Sequence, residues 1–286
     1  MILEECYELS NGMKLPKLGF GTWFIDDDKA AVAVSKAIAL GYRHIDTAEA
    51  YGNERGVGEG IRRSGLPREK LFVTTKLAAE CKSAETARKA IEESLRKMDI
   101  GYLDLMVIHS PQPWAEWRGK KRYFEENKEV WKVLEEYQQS GRIKAIGVSN
   151  FLIDDLESLL SSCTVKPAVN QVLTHIGNTP LSLIDYCVGK GIQMVSYSPV
   201  GHGKILQDRT VTKIACRYGV SPARLCIRYC LQLGTAAIPK SSNPVHMKEN
   251  TDVGFTISDG DMEELKALKL EEPYGELSVF PVFSGK

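Results

Sequence analysis

The chain of 286 residues carries 37 Lys and Arg against 37 Asp and Glu, so its formal net charge is zero; that balance gives no reason to expect nucleic acid, an anionic membrane or a polyanionic partner. A hydrophobic content of 43% and a charged content of 26% are those of an ordinary globular protein, at a length that suits one large α/β domain or two small ones. Seven cysteines (Cys6, Cys81, Cys163, Cys187, Cys216, Cys226, Cys230), odd in number and without Cys-x-x-Cys spacing, point to reduced thiols in a cytoplasmic protein and away from a disulfide framework or zinc site. The opening MILEECYELS lacks the basic and apolar regions of a signal peptide, and no apolar run reaches bilayer-spanning length.

Tyr7 to Pro16 alternates around Asn11-Gly12 and predicts a β-hairpin. Leu18 to Thr22 follows as a short strand, and Asp26-Asp27-Asp28 announces a helix over Ala30 to Leu40, closed by Gly41. From there strand and helix alternate. Strand-like runs are His44–Thr47, Leu71–Lys76, Leu103–His109, Ile143–Ser149, Ala168–Val172, Gln193–Ser198 and Ala236–Pro239. Helical patterns lie near Glu54–Ser64, Ser83–Met98, Asn127–Ser140, Ile153–Ser161, Pro180–Lys190 and Arg209–Leu233, the last split at Gly219. Apolar spacing supports several of them: Ile91, Leu95 and Met98 share a face, as do Val130, Leu134 and Tyr137.

These make eight strand–helix units. Strands rich in Val and Ile with helices on both sides are those of a buried parallel sheet, and eight units at this length predict a closed (β/α)8 barrel. The hairpin falls outside the count and is expected to cap the bottom. No shift in composition marks a linker, so one domain over residues 1–286 is expected.

In such a barrel the functional face lies where strands run into helices. Asp46, Lys76, His109, Ser149, Asn150, Gln171, Tyr197 and Lys240 all fall at or just beyond the C-terminal end of an apolar run. A polar strand end is unremarkable alone, but seven strands converging with them is hard to explain by solubility. Asp46, Tyr51, Lys76 and His109 form a proton-transfer group. A free tyrosine has a pKa of ~10 and is a poor acid at neutrality; an ammonium beside it stabilises the phenolate. Lys76 needs a counter-charge when buried, and Asp46 can supply it. Taken alone, an Asp–Lys pair is more often structural, and a single His at a strand end more often a satisfied polar residue. Their joint placement favours chemistry. A Rossmann site is a poorer fit, because Gly19-Phe20-Gly21 lacks a third glycine and Gly56-Val57-Gly58 falls inside a predicted helix.

The segments GYRHIDTAEAYGNE (41–54), VTTKL (73–77), LDLMVIHSP (103–111), GRIKAIGVSNF (141–151), VNQV (169–172), SYSPVG (196–201) and IPKSSNP (238–244) resemble, in order and spacing, those of the aldo-keto reductase family. The resemblance implies a (β/α)8 barrel that reduces aldehydes or ketones with NADPH, some use of NADH being expected. It implies a catalytic tetrad at Asp46, Tyr51, Lys76 and His109, with Tyr51 as the general acid. By the same resemblance Ser149, Asn150 and Gln171 would hold the nicotinamide carboxamide, Tyr197 would stack on the ring, and Thr22 and Trp23 would flank it. Ser198, Val200 and Gly201 would lie along the pyrophosphate. Lys240, Ser241, Ser242 and Asn243, with His246, would meet the adenosine 2′-phosphate, and Glu249 and Asn250 the adenine. A small carbonyl substrate, no metal, no nucleic acid or membrane, and a monomer or weak homodimer complete the expectation.

The chain departs from the family pattern at several points. His246 stands where an arginine is common, which predicts weaker discrimination of NADPH from NADH. Ala78 and Ser110 stand where aromatics are common and the run Val172 to Ile176 lacks the usual glutamate and tyrosine, which predicts a wider, less aromatic pocket than in the aldose-reductase-like members. The basic run Arg118 to Arg122 reads as a solvated loop face more readily than as an anionic-substrate patch. The tail from Glu272 to Lys286, with Tyr274, Phe280 and Phe283, is expected to fold over the barrel mouth. Two other functions compete: a nicotinamide-cofactor-binding regulatory module with little turnover, and a barrel lyase or isomerase with Lys76 as a Schiff base.

Overall fold

A computed structural model describes residues 1–269 and 274–284. The chain opens with the expected hairpin, β1 (Cys6–Glu8) paired antiparallel with β2 (Lys14–Pro16). Asn11 Oδ1 accepts from the Met13 amide at 3.2 Å, and Gly12 turns the chain at φ +80°, a backbone conformation that costs glycine little. Leu9 and Leu15 from this hairpin are buried against Phe72, Leu105, Val107, Ala145 and Val169. They cap one end of the sheet, each buried side chain contributing roughly 1.5–3 kcal/mol.

Eight parallel strands follow: β3 (Gly19–Gly21), β4 (His44–Asp46), β5 (Phe72–Leu77), β6 (Leu103–Ile108), β7 (Ile143–Ser149), β8 (Val169–Leu173), β9 (Gln193–Tyr197) and β10 (Ala236–Ile238). Each pairs with the next in sequence. The ring closes through bridges of Leu18 to Ala237 and Gly21 to Lys240. Every residue of β5 and β6 is buried, as expected of strands covered on both faces.

Between and after the strands lie α1 (Asp27–Ala39), α2 (Glu54–Arg63), α3 (Ala84–Met98), α4 (Phe124–Gln139), α5 (Ile153–Leu160), α6 (Leu181–Lys190), α7 (Arg209–Arg217), α8 (Pro222–Gln232), α9 (Pro244–Glu249) and α10 (Asp259–Ala267). α8 has the Ser221 cap and first-turn proline read from the sequence. Gly56 and Gly58 prove to be packing residues of α2: a Cβ on Gly58 would lie 1.9 Å from the Met98 carbonyl oxygen, and one on Gly56 2.1 Å from that of Asp27. Helices α9 and α10 escape the apolar pattern. The first has six residues, and the second is a capped, charged helix with few apolar positions. Helix α4 begins at Phe124, three residues early, because Tyr123 turns left-handed (φ +56°) just before it.

Among the described residues, no helix is long and apolar enough to cross a membrane, and no cluster of His, Cys, Asp and Glu could hold a metal ion.

Candidate active site

Parallel strands that all end at one rim bring distant residues together. Asp46 is the last residue of β4 and Ser149 of β7; Lys76 is one from the end of β5, and His109 immediately follows β6. Lys76 is 1% exposed and Asp46 2% exposed, which makes their charges costly unless fully partnered. The partners are present. The Lys76 ammonium donates to Asp46 Oδ1 at 2.5 Å, the Thr47 carbonyl at 2.8 Å and the Tyr51 hydroxyl at 3.2 Å. Three donors thus meet three acceptors. Asp46 Oδ2 accepts from Gln171 Nε2 at 2.8 Å.

Burial opposes the charge on Lys76, but Asp46 and Tyr51 outweigh it and hold the lysine above its ordinary pKa. For Tyr51 the balance differs from the expectation raised by its neighbour alone. Burial is the largest influence, and it pushes the phenol up although Lys76 pulls it down. The tyrosine is therefore a firmly protonated phenol beside a firmly protonated lysine.

His109 completes the group. Its ring meets Tyr51 edge to face, with centroids 5.8 Å apart. Burial, reinforced by the Lys76 charge, drives its pKa well below the usual imidazole range. Its Nδ1 is buried without a partner among the described residues, so the ring is a neutral imidazole with hydrogen-bonding capacity to spare. Thr22 braces the Asp46 end, its backbone N–H and side-chain hydroxyl both donating to the Asp46 carbonyl at 3.0 Å. Sequence reasoning missed Asn53, which is fully buried. It accepts from Thr47 and donates to the carbonyls of Thr22 and Ile25, locking the 46–53 loop to the strand β3 end. Its place inside GYRHIDTAEAYGNE was the available signal.

Two cavities of about 280 Å³ each flank Tyr51. One is lined by Trp23, Tyr51, His109, Trp114, Ser149, Asn150, Gln171, Tyr197 and the tail segment 280–283. The other is lined by Gly21 to Phe24, Asp46, Tyr51, Tyr197 to Val200, His202, Ile238 and Lys240. Trp23, Tyr51 and Tyr197 face both. A larger depression of about 1000 Å³ lies beside Asn11, Lys132 and Lys144 on the hairpin side, far from this rim.

In the first cavity Asn150 donates to the His109 carbonyl and to Ser149 Oγ, and accepts from the Tyr197 hydroxyl at 2.8 Å. Ser149 donates to the Gln171 carbonyl. None of positions 78, 110 and 172–176 lines this cavity; its aromatic rings include Trp114 and, from the tail, Phe280 and Phe283. Of that tail, positions 272–273 and 285–286 lie outside the described residues. Phe283 stacks on Trp23 with centroids 5.7 Å apart, and Tyr274 hydrogen-bonds His175 Nε2 at 2.7 Å.

The second cavity holds a cation, Lys240, and left-handed backbone at Ser198 (φ +51°), with buried Gly201 (φ +52°) just beyond the lining. His202, also missed in the sequence, lines it, touching Ser198 Oγ at 3.0 Å and the edge of Phe283. Ser241 and Asn243 hydrogen-bond one another, Asn243 capping α9. Ser242 and His246 are exposed, and Asn250 is buried behind them. Glu249 lies apart, lining a shallow depression with Pro244, Val245, Lys248, Thr251 and Asp252.

The chain matches the family model described as "Aldo/keto reductase family" over residues 17–270. It is 41% identical over 275 residues to glyoxal reductase of Bacillus subtilis, covering 96% of both chains. It is 38% identical over 276 residues to 9,11-endoperoxide prostaglandin H2 reductase of Trypanosoma cruzi, covering 95% of this chain and 94% of that one. Among solved structures, an aldo/keto reductase from Brucella melitensis superposes with a TM-score of 0.85 at 37% identity, over 92% of this chain and 98% of the other. Aldose reductase from Schistosoma japonicum does so at 0.85 and 31%, over 99% and 97%.

Proposed function

The chain belongs to the aldo/keto reductase family, and from that premise we propose that it reduces aldehydes or ketones to alcohols with NADPH as hydride donor and Tyr51 as general acid. One observation carries the reading: the Tyr51 hydroxyl, 3.2 Å from the Lys76 ammonium, lies where the two cavities meet. A cofactor lying in the second cavity, with its nicotinamide reaching into the first beside a carbonyl, would abut it.

The second cavity suits NADPH. It combines a lysine free of carboxylate partners among the described residues with tightly bent backbone and aromatic walls. The cofactor's nicotinamide would reach past Tyr51 into the first cavity, where Ser149, Asn150 and Gln171 would hold the carboxamide, with Tyr197 against the ring and Thr22 and Trp23 beside it. Ser198, Val200 and Gly201 would follow the pyrophosphate. Lys240, Ser241, Ser242, Asn243 and His246 would meet the 2′-phosphate, with Asn250 and Glu249 at the adenine. So held, NADPH would supply a hydride to the carbonyl carbon.

The chain's own residues manage the proton. Burial keeps Tyr51 protonated and ready to donate to the carbonyl oxygen. The Lys76 ammonium stabilises the phenolate left behind, and Asp46 keeps that ammonium charged. Neutral His109 offers a hydrogen bond that orients the carbonyl oxygen. NADPH is favoured over NADH through Lys240, and His246, which lacks the bidentate fork of a guanidinium, makes that preference weaker than an arginine would. The chain acts as one (β/α)8 domain.

Steady-state assays of a varied aldehyde and ketone panel with NADPH and with NADH test the reading. NADPH-dependent turnover that exceeds that with NADH is expected. Cofactor binding, followed by tryptophan quenching, with no turnover across the panel would identify a regulatory nicotinamide-binding module instead.

A further inference from the structure

The basic run at the barrel mouth is not uniform. Arg122 forks onto Asp154 and Asp155, and Lys121 pairs with Glu126 at 2.8 Å, while Lys120 is exposed to solvent. Arg118 differs from all of these. Its guanidinium has no carboxylate or carbonyl partner among the described residues, and it lies 4.3 Å over the Trp117 ring. Trp117 packs on Trp114 (5.6 Å between centroids), and Trp114 packs on His109 (5.1 Å) and lines the carbonyl-side cavity. A row of rings thus connects the arginine to the reacting centre.

The loop is built to hold it there. Buried Gln112 donates to the carbonyls of Gly119 (3.0 Å) and Lys121 (2.6 Å) and accepts from the Arg118 amide (3.0 Å). Arg118 itself is left-handed, φ +56°, a strained conformation that persists only where its surroundings impose it. Asp155 and Tyr197 lie near enough to influence its charge. The Asp155 oxygens are already taken, by Arg122 at 2.8 Å and by the Leu152 amide at 3.0 Å. The donors of Arg118 are thus left without a carboxylate partner among the described residues, on the loop that carries Trp114 into the cavity lining.

Within the cavity no lining residue is a cation, and its polar groups are Tyr51, His109, Ser149, Asn150, Gln171 and Tyr197. Those groups are committed to the proton and to the cofactor. Recognition of a negative charge falls to the rim. We propose that Arg118 forms an anion subsite at the mouth of the substrate pocket, selecting carbonyl compounds that carry a carboxylate remote from the carbonyl. The proposal rests on the carbonyl-reductase reading and adds a substrate class to it. A guanidinium stacked on an indole presents a flat fork that matches a carboxylate, and its stacking already restricts its rotamers.

The test compares matched aldehydes that differ only in charge: 4-carboxybenzaldehyde and 3-(4-formylphenyl)propanoate, each against its methyl ester, at saturating NADPH. In Arg118→Ala, kcat/KM should fall about tenfold for at least one acid, the size of a single charge-assisted contact at a partly exposed site, and stay within about twofold for the esters. Arg118→Lys should recover part of the loss. A binding readout is independent of turnover: benzene-1,4-dicarboxylate, titrated by tryptophan quenching, should bind about tenfold more weakly to Arg118→Ala. Acid-to-ester ratios and dicarboxylate affinity that are the same in wild type and Arg118→Ala overturn the subsite. If wild type turns over none of these aldehydes, the carbonyl-reductase reading suffers, and the dicarboxylate titration alone decides the subsite.

Discussion

Gln171 donates its side-chain amide to Oδ2 of Asp46 at 2.8 Å, on the carboxylate whose Oδ1 holds Lys76. The residue expected to grip the cofactor amide thus also braces the counter-ion of the lysine behind the proposed general acid. Both lone-pair faces of a fully buried carboxylate are occupied, which is the condition under which a buried ion pair is tolerable.

Removing that carboxylate's charge leaves Lys76 buried and unbalanced. Asp46→Asn should cost about 3–5 kcal/mol of stability, the usual effect of breaking a buried pair from one side, and should also slow reduction because the ammonium is no longer enforced. Urea unfolding and steady-state turnover check both. A variant as stable and as active as wild type would show that Asp46 is not the counter-ion.

Tyr51→Phe keeps the ring that walls both cavities and deletes only the hydroxyl. Turnover should fall by about 10²–10⁴, the range for loss of a positioned general acid, while NADPH affinity stays close to wild type. Undiminished turnover removes Tyr51 as the proton donor.

His44, His109, His175 and His202 are all held below their ordinary pKa by burial, His44 to about 4. The unfolded chain therefore takes up protons first as pH falls. Their contribution to stability is complete above ~6.5 and is lost between there and the folded value. For His44 the loss across that window is on the order of 3 kcal/mol. Buried Glu54, Asp104 and Asp155, raised by desolvation, act in the opposite sense. The slope of stability against pH, measured by urea midpoints between about pH 7 and pH 5, should therefore shrink in His44→Gln. An identical slope would sink the assignment to His44.

Phe283 is buried between Trp23, His202 and Tyr274. A core Phe→Ala change costs about 3–5 kcal/mol, but here the tail can detach without unfolding the barrel, so the effect should be local. Phe283→Ala should speed proteolysis of the tail and raise KM for apolar carbonyls, with little change in thermal midpoint. Unaltered proteolysis and KM would mean the tail is held elsewhere.

The barrel was legible in the sequence because buried parallel strands write themselves as Val- and Ile-rich runs, and Asp46, Lys76 and His109 close such runs. What escaped was set by tertiary contact. The pKa of Tyr51 depends on how completely the loop is buried, which no spacing reveals. Phe280 and Phe283 line the mouth cavity, where their tail was expected to fold, but Trp114 comes from a loop without periodicity, so its destination could not be read. The basic run reads as uniform in composition. Only the positions of Asp154, Asp155 and Glu126 separate Arg122 and Lys121, which are neutralised, from Arg118.

Gly21 and Lys240 bridge the seam where the first barrel strand meets the last, with the Leu18–Ala237 bridge three residues earlier on each strand. The seam has consequences for how the protein is made. During synthesis the ring stays an open sheet with two raw edges until the segment through Lys240 has emerged, and Thr22 and Trp23 wait for more than two hundred residues to acquire their opposite wall. Closure is thus the late, long-range event in folding, governed by the meeting of chain segments far apart in sequence. The second cavity, proposed above for the cofactor, spans that same seam and is the last part of the rim to exist. A nascent chain therefore should not hold NADPH before its barrel is whole.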